Sequence, residues 1–561
     1  MEDGKTSDQG HSSGVVRPMV LIVITLSLMA VLLMSTWVSP AGVRLFLSAV
    51  SDEGLGRAGS SATVPDTRDR LLGGLLSPDF DDDSCLSRYR ASLYRRPSLH
   101  VLSPHLVSRL RRYESLHRRC GPGTSAYSRA VARLRDSMDE HAPAPGPASS
   151  NSTSEADPAA ECSYIVWTPQ AGLGNRIIST AAAFLYALLT DRVLLVQHPG
   201  HDLDDIFCEP FPGSSTWVLP EKDFPIRSME RFNTRTPESL GNALRRGEGS
   251  RDPPAPWMYL HLQNNYQPND RRFFCDDGQD AVRGVRWLVL RSDNYFVPGL
   301  FLVPRYEREL DRLFPRRDAV FHHLGRYLFH PSNTVWAMVA RYHTSYLAPA
   351  EERVGLQVRD FKFTPISADE RYSQIIWCAY GQGILPSVDN NATSAAAGAP
   401  DHHQEPTTAT KRKAVLVVSL RGDYYEKLSS MYYEHGAAGG GAVSVFQPTH
   451  LGAQHSEERH HNQKAFAEMV LLSFSDVVIT SAASTFGYVS QGLAGLRPWV
   501  LMTPVDGKGP EPPCRLAPTI EPCFHNAPHY DCKTRARADS GNLVRHVRHC
   551  EDYPNGVQLV D

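Results

Sequence analysis

The chain lacks most of the short signatures that would settle its chemistry from one motif. It has ten cysteines but no CxxC pair, which excludes the common structural zinc modules. No GxGxxG stands in a strand-turn-helix context with an acidic residue about twenty positions on, so a nucleotide-dependent oxidoreductase is left without its fingerprint. An excess of charge of one sign is also missing, since 58 Lys and Arg against 61 Asp and Glu leave a net charge of -3. That balance gives no reason to expect nucleic acid or an extended polyanion, and any anion site must be local. The acidic run Asp81-Asp82-Asp83 reads as a solvated face.

What the chain does have begins with one long apolar run. Met19–Val38 is uncharged and has about the 20 residues needed to cross a bilayer. The polar tail at 1–18 ahead of it favours a retained anchor over a cleaved signal peptide, with the bulk of the chain lumenal and the lipid bilayer as a partner. Asn151 and Asn391 head glycosylation sequons. The cysteines read as disulfides, with free core thiols as the alternative for some of them. Cys514, Cys523, Cys532 and Cys550 crowd into a tail at 506–561 that needs stapling.

Residues 39–160 read as a stem and neck. Its Gly/Ser-rich stretch at 52–62 and Pro/Ala/Ser-rich stretch at 141–159 bury too little apolar surface to offset ordering entropy. Between them, Leu99, Leu102, Leu106, Leu110, Tyr113 and Leu116 recur at helical spacing, as in a helical neck packed on the globular part. Two α/β units follow, at 161–350 and 351–505, the second carrying a low-complexity insertion at 388–413.

The first unit opens with a strand at Tyr164–Trp167, a glycine turn, an apolar helix and a strand at Val193–Val196, which is a βαβ unit. Gly172 and Gly174 can let backbone N–H groups approach an anion, with Asn175 and Arg176 adding donors; closing a loop is the structural alternative. Asp293 follows an apolar strand, a place for a base, a water-positioning group or a helix cap. Gln357 and Arg359 alternate along a short strand, and the arginine fork suits either a phosphate or a surface salt bridge. Ser481, Ser484 and Thr485 stand in a turn between a β-branched strand at 476–480 and a helix expected to stop at Arg497 and Pro498. On the helix that begins at Tyr424 and is expected to end at Gly436, Tyr424, Leu428, Met431 and Tyr432 share a core face. Two doubly wound Rossmann-like sheets result, an architecture shared by nucleotide-sugar glycosyltransferases and dehydrogenases.

Six segments decide between these. GLGNRI at 172–177, RSDNYFVPGLFL at 291–302, VGLQVRDF at 354–361, SLRGDYYEKLSSMYYEHG at 419–436, HNQKAFAEM at 461–469 and SAASTFGYVSQGLAGLRPWVL at 481–501 resemble, in order, the blocks of the plant xyloglucan-type fucosyltransferase family. Ser490 and Ala494 stand where that pattern has Ala and Gly. The resemblance covers about residues 160–550.

It implies a variant GT-B fold and an inverting transfer of L-fucose from GDP-fucose to the 2-hydroxyl of a galactosyl residue, with no cofactor and no metal. The acceptor implied is a galactosylated cell-wall polysaccharide, xyloglucan first, with arabinogalactan or another galactoside as alternatives. A membrane-anchored glycan-binding protein on the same scaffold is the rival from another class. Residues 161–350 become the acceptor side and 351–505 the donor side, in a single-pass type II protein of the Golgi membrane that assembles with itself or with other Golgi glycosyltransferases. By the same resemblance Arg359 holds the pyrophosphate and stabilises departing GDP, while Gln357, Ser484, Thr485 and Phe486 form the donor loop. Gly172, Asn175 and Arg176 complete the cleft, and Asp293 sits near the acceptor hydroxyl or a water that relays its proton.

Overall fold

The computed structural model describes residues 69–138, 162–197, 203–213, 216–248, 254–389, 412–439 and 441–561. The run Met19–Val38, the sequons at Asn151 and Asn391, the stretch at 141–159 and nearly all of the 388–413 insertion lie outside them.

A proline decides where the first long helix begins. Pro104 has no N–H to leave unpaired at the first helical position, and Ser103 caps the end, its Oγ accepting from the His105 N–H at 3.2 Å. α1 therefore runs Pro104–Cys120, and α2 follows at Ser125–Met138. The apolar stripe is shorter than its spacing suggests. Leu106, Leu110, Tyr113 and Leu116 are buried, but Leu99 lies ahead of the Ser-Pro boundary and is 89% exposed. Cys120 is bonded to Cys162, and Tyr164 Oη donates to the Cys120 carbonyl at 2.9 Å, pinning the helices to the first sheet.

That sheet comprises β1 (Tyr164–Thr168), then after α3 (Leu173–Thr190) β2 (Val193–Val196), β3 (Trp257–Leu262) and β4 (Trp287–Ser292). The order is β2-β1-β4-β3, all parallel. Near-continuous burial of the strands is what a parallel sheet covered on both faces requires. α3 has the length and, at 1.2, the mean hydropathy of a bilayer-spanning helix, but 78% of it is buried inside the protein, and it is a core helix. β1 and β4 are neighbours, so the Gly172 turn and Asp293 leave adjacent strand ends.

α4 (Val320–Leu328) and α5 (Asn333–Tyr342) carry the chain to the second sheet. There follow β5 (Glu352–Val358), α6 (Ala368–Gly381), β6 (Arg412–Ser419), α7 (Asp423–Glu434), β7 (Ala442–Phe446), α8 (Arg459–Leu472), β8 (Val477–Ser481), α9 (Thr485–Ala494), β9 (Trp499–Leu501) and β10 (Cys514–Leu516). The order is β10-β9-β8-β5-β6-β7, parallel except for β10. From β5 the chain steps outward to β6 and β7, then returns to β8 on the other side of β5. The carboxyl ends of β5 and β8 thus flank a topological switch point, where open α/β sheets hold ligands.

α9 belongs to the second sheet by connection but packs on α3 and α4. Gly492 lies so close to the Phe321 ring that a Cβ there would overlap it. The helix ends at Gly495, left-handed with φ 73°, rather than at Arg497 and Pro498. Glycine stops it first because its αL cap satisfies the last carbonyls.

All ten cysteines are paired, so the free-thiol alternative falls. Cys523–Cys550 closes within the tail, while Cys514 reaches Cys378 and Cys532 reaches Cys275. The tail is therefore stapled to both α/β sheets and not merely to itself. Replacing Cys275 and Cys532 together with Ser is expected to lower the unfolding free energy by about 2–5 kcal/mol, read from the denaturant midpoint under oxidising conditions; an unchanged midpoint would show that the bridge carries no stability.

Candidate active site

The carboxyl ends of the two sheets face each other across a cleft of about 470 Å³, a size suited to one small ligand. Gln357 and Arg359 line it from the end of β5, Gly172 and Asn175 from the start of α3, and Ser484, Thr485 and Phe486 from the start of α9.

Arg359 is half-buried, and among the described residues it has no carboxylate partner. Its Nη2 donates to Gln454 Oε1 at 3.0 Å, and its guanidinium carbon lies 5.8 Å from the Phe361 ring centroid. Burial lowers its pKa, opposed by the charge of Asp360, and the group stays cationic. Asp360 is itself committed, accepting from Arg371 Nε at 3.1 Å and Tyr424 Oη at 2.6 Å. Gln357 is buried, and its Oε1 accepts from the Ser481 N–H at 3.3 Å. The Arg359 N–H donates to Ser481 Oγ at 2.9 Å, which locks the ends of β5 and β8 together.

The turn into α9 passes through Ala483 in a left-handed conformation, φ 56°. Asp552 braces it: Oδ2 accepts from the Ala483 N–H at 2.9 Å and from Tyr488 Oη at 2.6 Å. Ser484 caps the helix, its Oγ accepting from the Gly487 N–H at 3.5 Å. Thr485 Oγ1 donates to Asn175 Oδ1 at 3.0 Å. The Thr485 proton is thus committed, whereas the Ser484 cap uses a lone pair and leaves its O–H able to donate, so the loop offers an anion that hydroxyl, the first-turn amides and the positive pole of α9.

Asn175 joins the two sides. Besides that bond, its Nδ2 donates to the Asp293 carbonyl at 3.0 Å. Gly174 permits the approach, since a Cβ there would stand 2.7 Å from Thr485 Oγ1. Arg176 is not among the cleft-lining residues; it donates to the Ala171 carbonyl at 2.9 Å and to Glu457 Oε1 at 2.8 Å. Asp293 does not line the cleft, nor does it cap a helix. Its Oδ1 accepts from Asn294 Nδ2 at 2.8 Å, Asn294 in turn accepts from the cleft-lining Asn526, and burial raises the Asp293 pKa.

Other cleft residues escaped sequence reasoning. His461, Lys464 and Glu468 reach it from one face of α8, and His525, Asn526 and Tyr553 from the tail. Glu468 is buried, accepts from Thr449 Oγ1 at 2.6 Å, and has its pKa pushed up to about 7 by that burial. The spacing of 461, 464 and 468 was the available signal. Among the described residues, Cys523, Cys550 and Asp552 have the ligand types of a metal site, but the sulfurs form a disulfide and offer no thiolate.

Two Rossmann-like sheets across a nucleotide-sized cleft, with an arginine that has no ion-pair partner among the described residues and a helix amino end at the switch point, define a GT-B-like glycosyltransferase. A sequence model of the xyloglucan fucosyltransferase family matches residues 47–533, a span that includes α1 and α2. Galactoside 2-alpha-L-fucosyltransferases of Arabidopsis thaliana and Pisum sativum are 46% and 43% identical over 493 and 496 residues, covering 88% of this chain and 83% and 82% of theirs. A solved structure of an Arabidopsis thaliana FUT1 point mutant in complex with GDP matches with TM-score 0.77 at 45% identity, covering 88% of this chain and 100% of that one. The chain belongs to the xyloglucan fucosyltransferase family.

Asn175→Ala removes the amide that bridges the two sides and is expected to cost about 1–3 kcal/mol of stability, with weaker GDP binding. Thermal denaturation and calorimetry check this; unchanged melting and affinity would show that the bridge is dispensable.

Proposed function

We propose that this protein transfers L-fucose from GDP-fucose, with inversion and without a metal, to the 2-hydroxyl of a galactosyl residue on a cell-wall glycan. Xyloglucan is the first acceptor by the family's description, with arabinogalactan or another galactoside as the alternative. The observation that carries the reading is the convergence of Arg359, without an ion-pair partner among the described residues, with the amino end of α9 at the switch point. A departing nucleoside diphosphate gains negative charge in the transition state, and a fixed guanidinium plus helix-end amides stabilise that charge where it grows. Gln357 and the Ser484–Phe486 turn shape the donor side, within 351–505.

Glu468 supports guanine as the base. A carboxylate accepts through two oxygens, and guanine presents N1–H and N2–H as adjacent donors, whereas adenine offers a lone pair at N1. On the acceptor side, 161–350, Asp293 acts as a positioning residue: it holds Asn294, which accepts from the cleft-lining Asn526, so it bears on the acceptor hydroxyl or a water through the placement of Asn526. In this reading the protein is a single-pass type II resident of the Golgi membrane held by Met19–Val38, with Asn151 and Asn391 glycosylated.

Arg359→Ala is expected to lower turnover by about a hundredfold or more with the fold retained, and Asp293→Asn to lose rate while keeping GDP affinity. The wild-type rate should survive chelation in the same GDP-release assay. Near-normal turnover in Arg359→Ala removes the donor assignment, a strict need for added Mn²⁺ removes the metal-free one, and GDP binding without transfer to any galactoside favours a glycan-binding protein.

The Glu468 carboxyl has a pKa of about 7 in the free protein. Guanine N–H donors favour its ionised form, so binding lowers that pKa and releases a proton. GDP affinity should accordingly fall as pH drops below about 7, and Glu468→Gln should flatten the profile. Calorimetry in buffers of different ionisation enthalpy reads the released proton; a flat wild-type profile would place the base elsewhere.

A further inference from the structure

Three arginines lie inside the protein where the neck meets α4, and two of them meet no carboxylate among the described residues. Arg88, on the short helix Leu86–Arg90, is 3% exposed; Arg95, in the stretch that follows, is 8% exposed; Arg326, on α4, is 5% exposed. The Nε of each is buried without a hydrogen-bond partner. Arg88 Nη2 donates to the Glu209 carbonyl at 2.6 Å, and Arg326 Nη1 donates to His322 Nε2 at 3.3 Å. Arg95 forms no side-chain hydrogen bond among the described residues, and its guanidinium carbon stands 5.5 Å from the Phe474 ring centroid. A ring face offsets part of a buried charge and not the whole of it.

The acids and imidazoles around this locus leave the charge standing. Asp476 pairs with Arg96 at 2.6 Å and with Arg353 at 3.2 Å. Glu114 pairs with Arg111 at 2.8 Å and accepts from Tyr327 Oη at 2.8 Å. Glu209 accepts from Thr216 Oγ1 and from the Trp217 N–H; among carboxylates it alone favours the charge of any of the three arginines, and it acts on Arg88. Burial and then Arg326 push the Arg95 pKa well down, and burial lowers that of Arg326 to about 10. His322 Nδ1 donates to the Gly492 carbonyl at 2.8 Å, which leaves Nε2 to accept from Ser98 Oγ at 2.8 Å and from Arg326, so the ring is neutral. Burial, followed by the charges of Arg88, Arg95 and Arg326, holds the His330 pKa well below its usual range, and the three charges therefore converge beside that ring.

Arginine does not escape burial by losing its proton. An unpaired buried charge is costly, and a bound counter-ion removes that cost. The same interior selects the ion, because a strongly hydrated dianion such as phosphate loses far more on leaving water than a weakly hydrated monoanion does.

We propose that Arg95 and Arg326, with Arg88 beside them, bind one small inorganic monoanion of chloride size, which ties the neck to α4. The site shares no residue with the nucleotide cleft and does not depend on the fucosyl-transfer reading. α4 packs on α9, and His322 holds a carbonyl near the carboxyl end of that helix, so the ion steadies α9 from the pole opposite the cleft.

The test is thermal denaturation of the full chain with gluconate exchanged for chloride at constant ionic strength. Adding about 100 mM chloride should raise Tm by about 5 °C. Arg95→Met and Arg326→Met, made separately, should each reduce that rise below about 1 °C while leaving Tm in gluconate within about 2 °C of the unaltered protein, since the cation that needed compensation is gone. A role in packing alone would instead lower Tm in both media and leave the chloride response intact, which would overturn the site, as would an unaltered protein indifferent to chloride. Should the variants fail to fold, crystals of the unaltered protein soaked in bromide decide: an anomalous peak between Arg95 and Arg326 supports the site, and its absence there overturns it. A response to inorganic phosphate but not to chloride would overturn the halide assignment.

Discussion

The cleft depends on the hydrogen bond between Thr485 and Asn175, because it joins the amino ends of two helices from different sheets. Each end carries a partial positive charge, and bringing α3 and α9 together ahead of any ligand is electrostatically unfavourable. A neutral amide, itself tied to the Asp293 carbonyl, and a glycine at position 174 make the approach possible. With Arg359 close by on the end of β5, the junction becomes a place where an anion lowers the energy of the whole assembly. The pyrophosphate of a sugar nucleotide has that charge.

Much of this frame is legible in the residues alone. Buried parallel strands announce themselves as runs such as Tyr164–Trp167 and the β-branched stretch of β8, and the strand-end positions of Gln357 and Arg359 follow from alternation. What does not follow is the direction a long side chain takes when several partners lie far off in sequence. Arg176 looks like an anion donor until Glu457 and the Ala171 carbonyl claim it. Thr485 has the right hydroxyl, but a cross-sheet bond uses its proton, while the Ser484 cap takes only a lone pair. Glu468 is hidden for the opposite reason: α8 carries polar residues all round its amino half, and only packing against α5 and the strand ends decides which face meets the cleft.

The neck shows the same limit on a local scale. Leucine spacing continues smoothly from Leu99 to Leu116, yet Ser103 and Pro104 impose a start that spacing does not register. The tail is harder still. Its short strands have no periodicity to read, and its place is set by Cys275–Cys532 and Cys378–Cys514 together with the Asp552 brace on Ala483.

That tail has a bearing on how the enzyme is made. His525, Asn526, Asp552 and Tyr553 follow both sheets in the chain, and so leave the ribosome after them. Sheets can fold as they emerge, but the Ala483 amide does not meet its partner until Asp552 arrives. The bridges that seat those residues form only in an oxidising compartment. Competence is thus acquired after both sheets have been made, conferred once the tail has emerged and its thiols are oxidised.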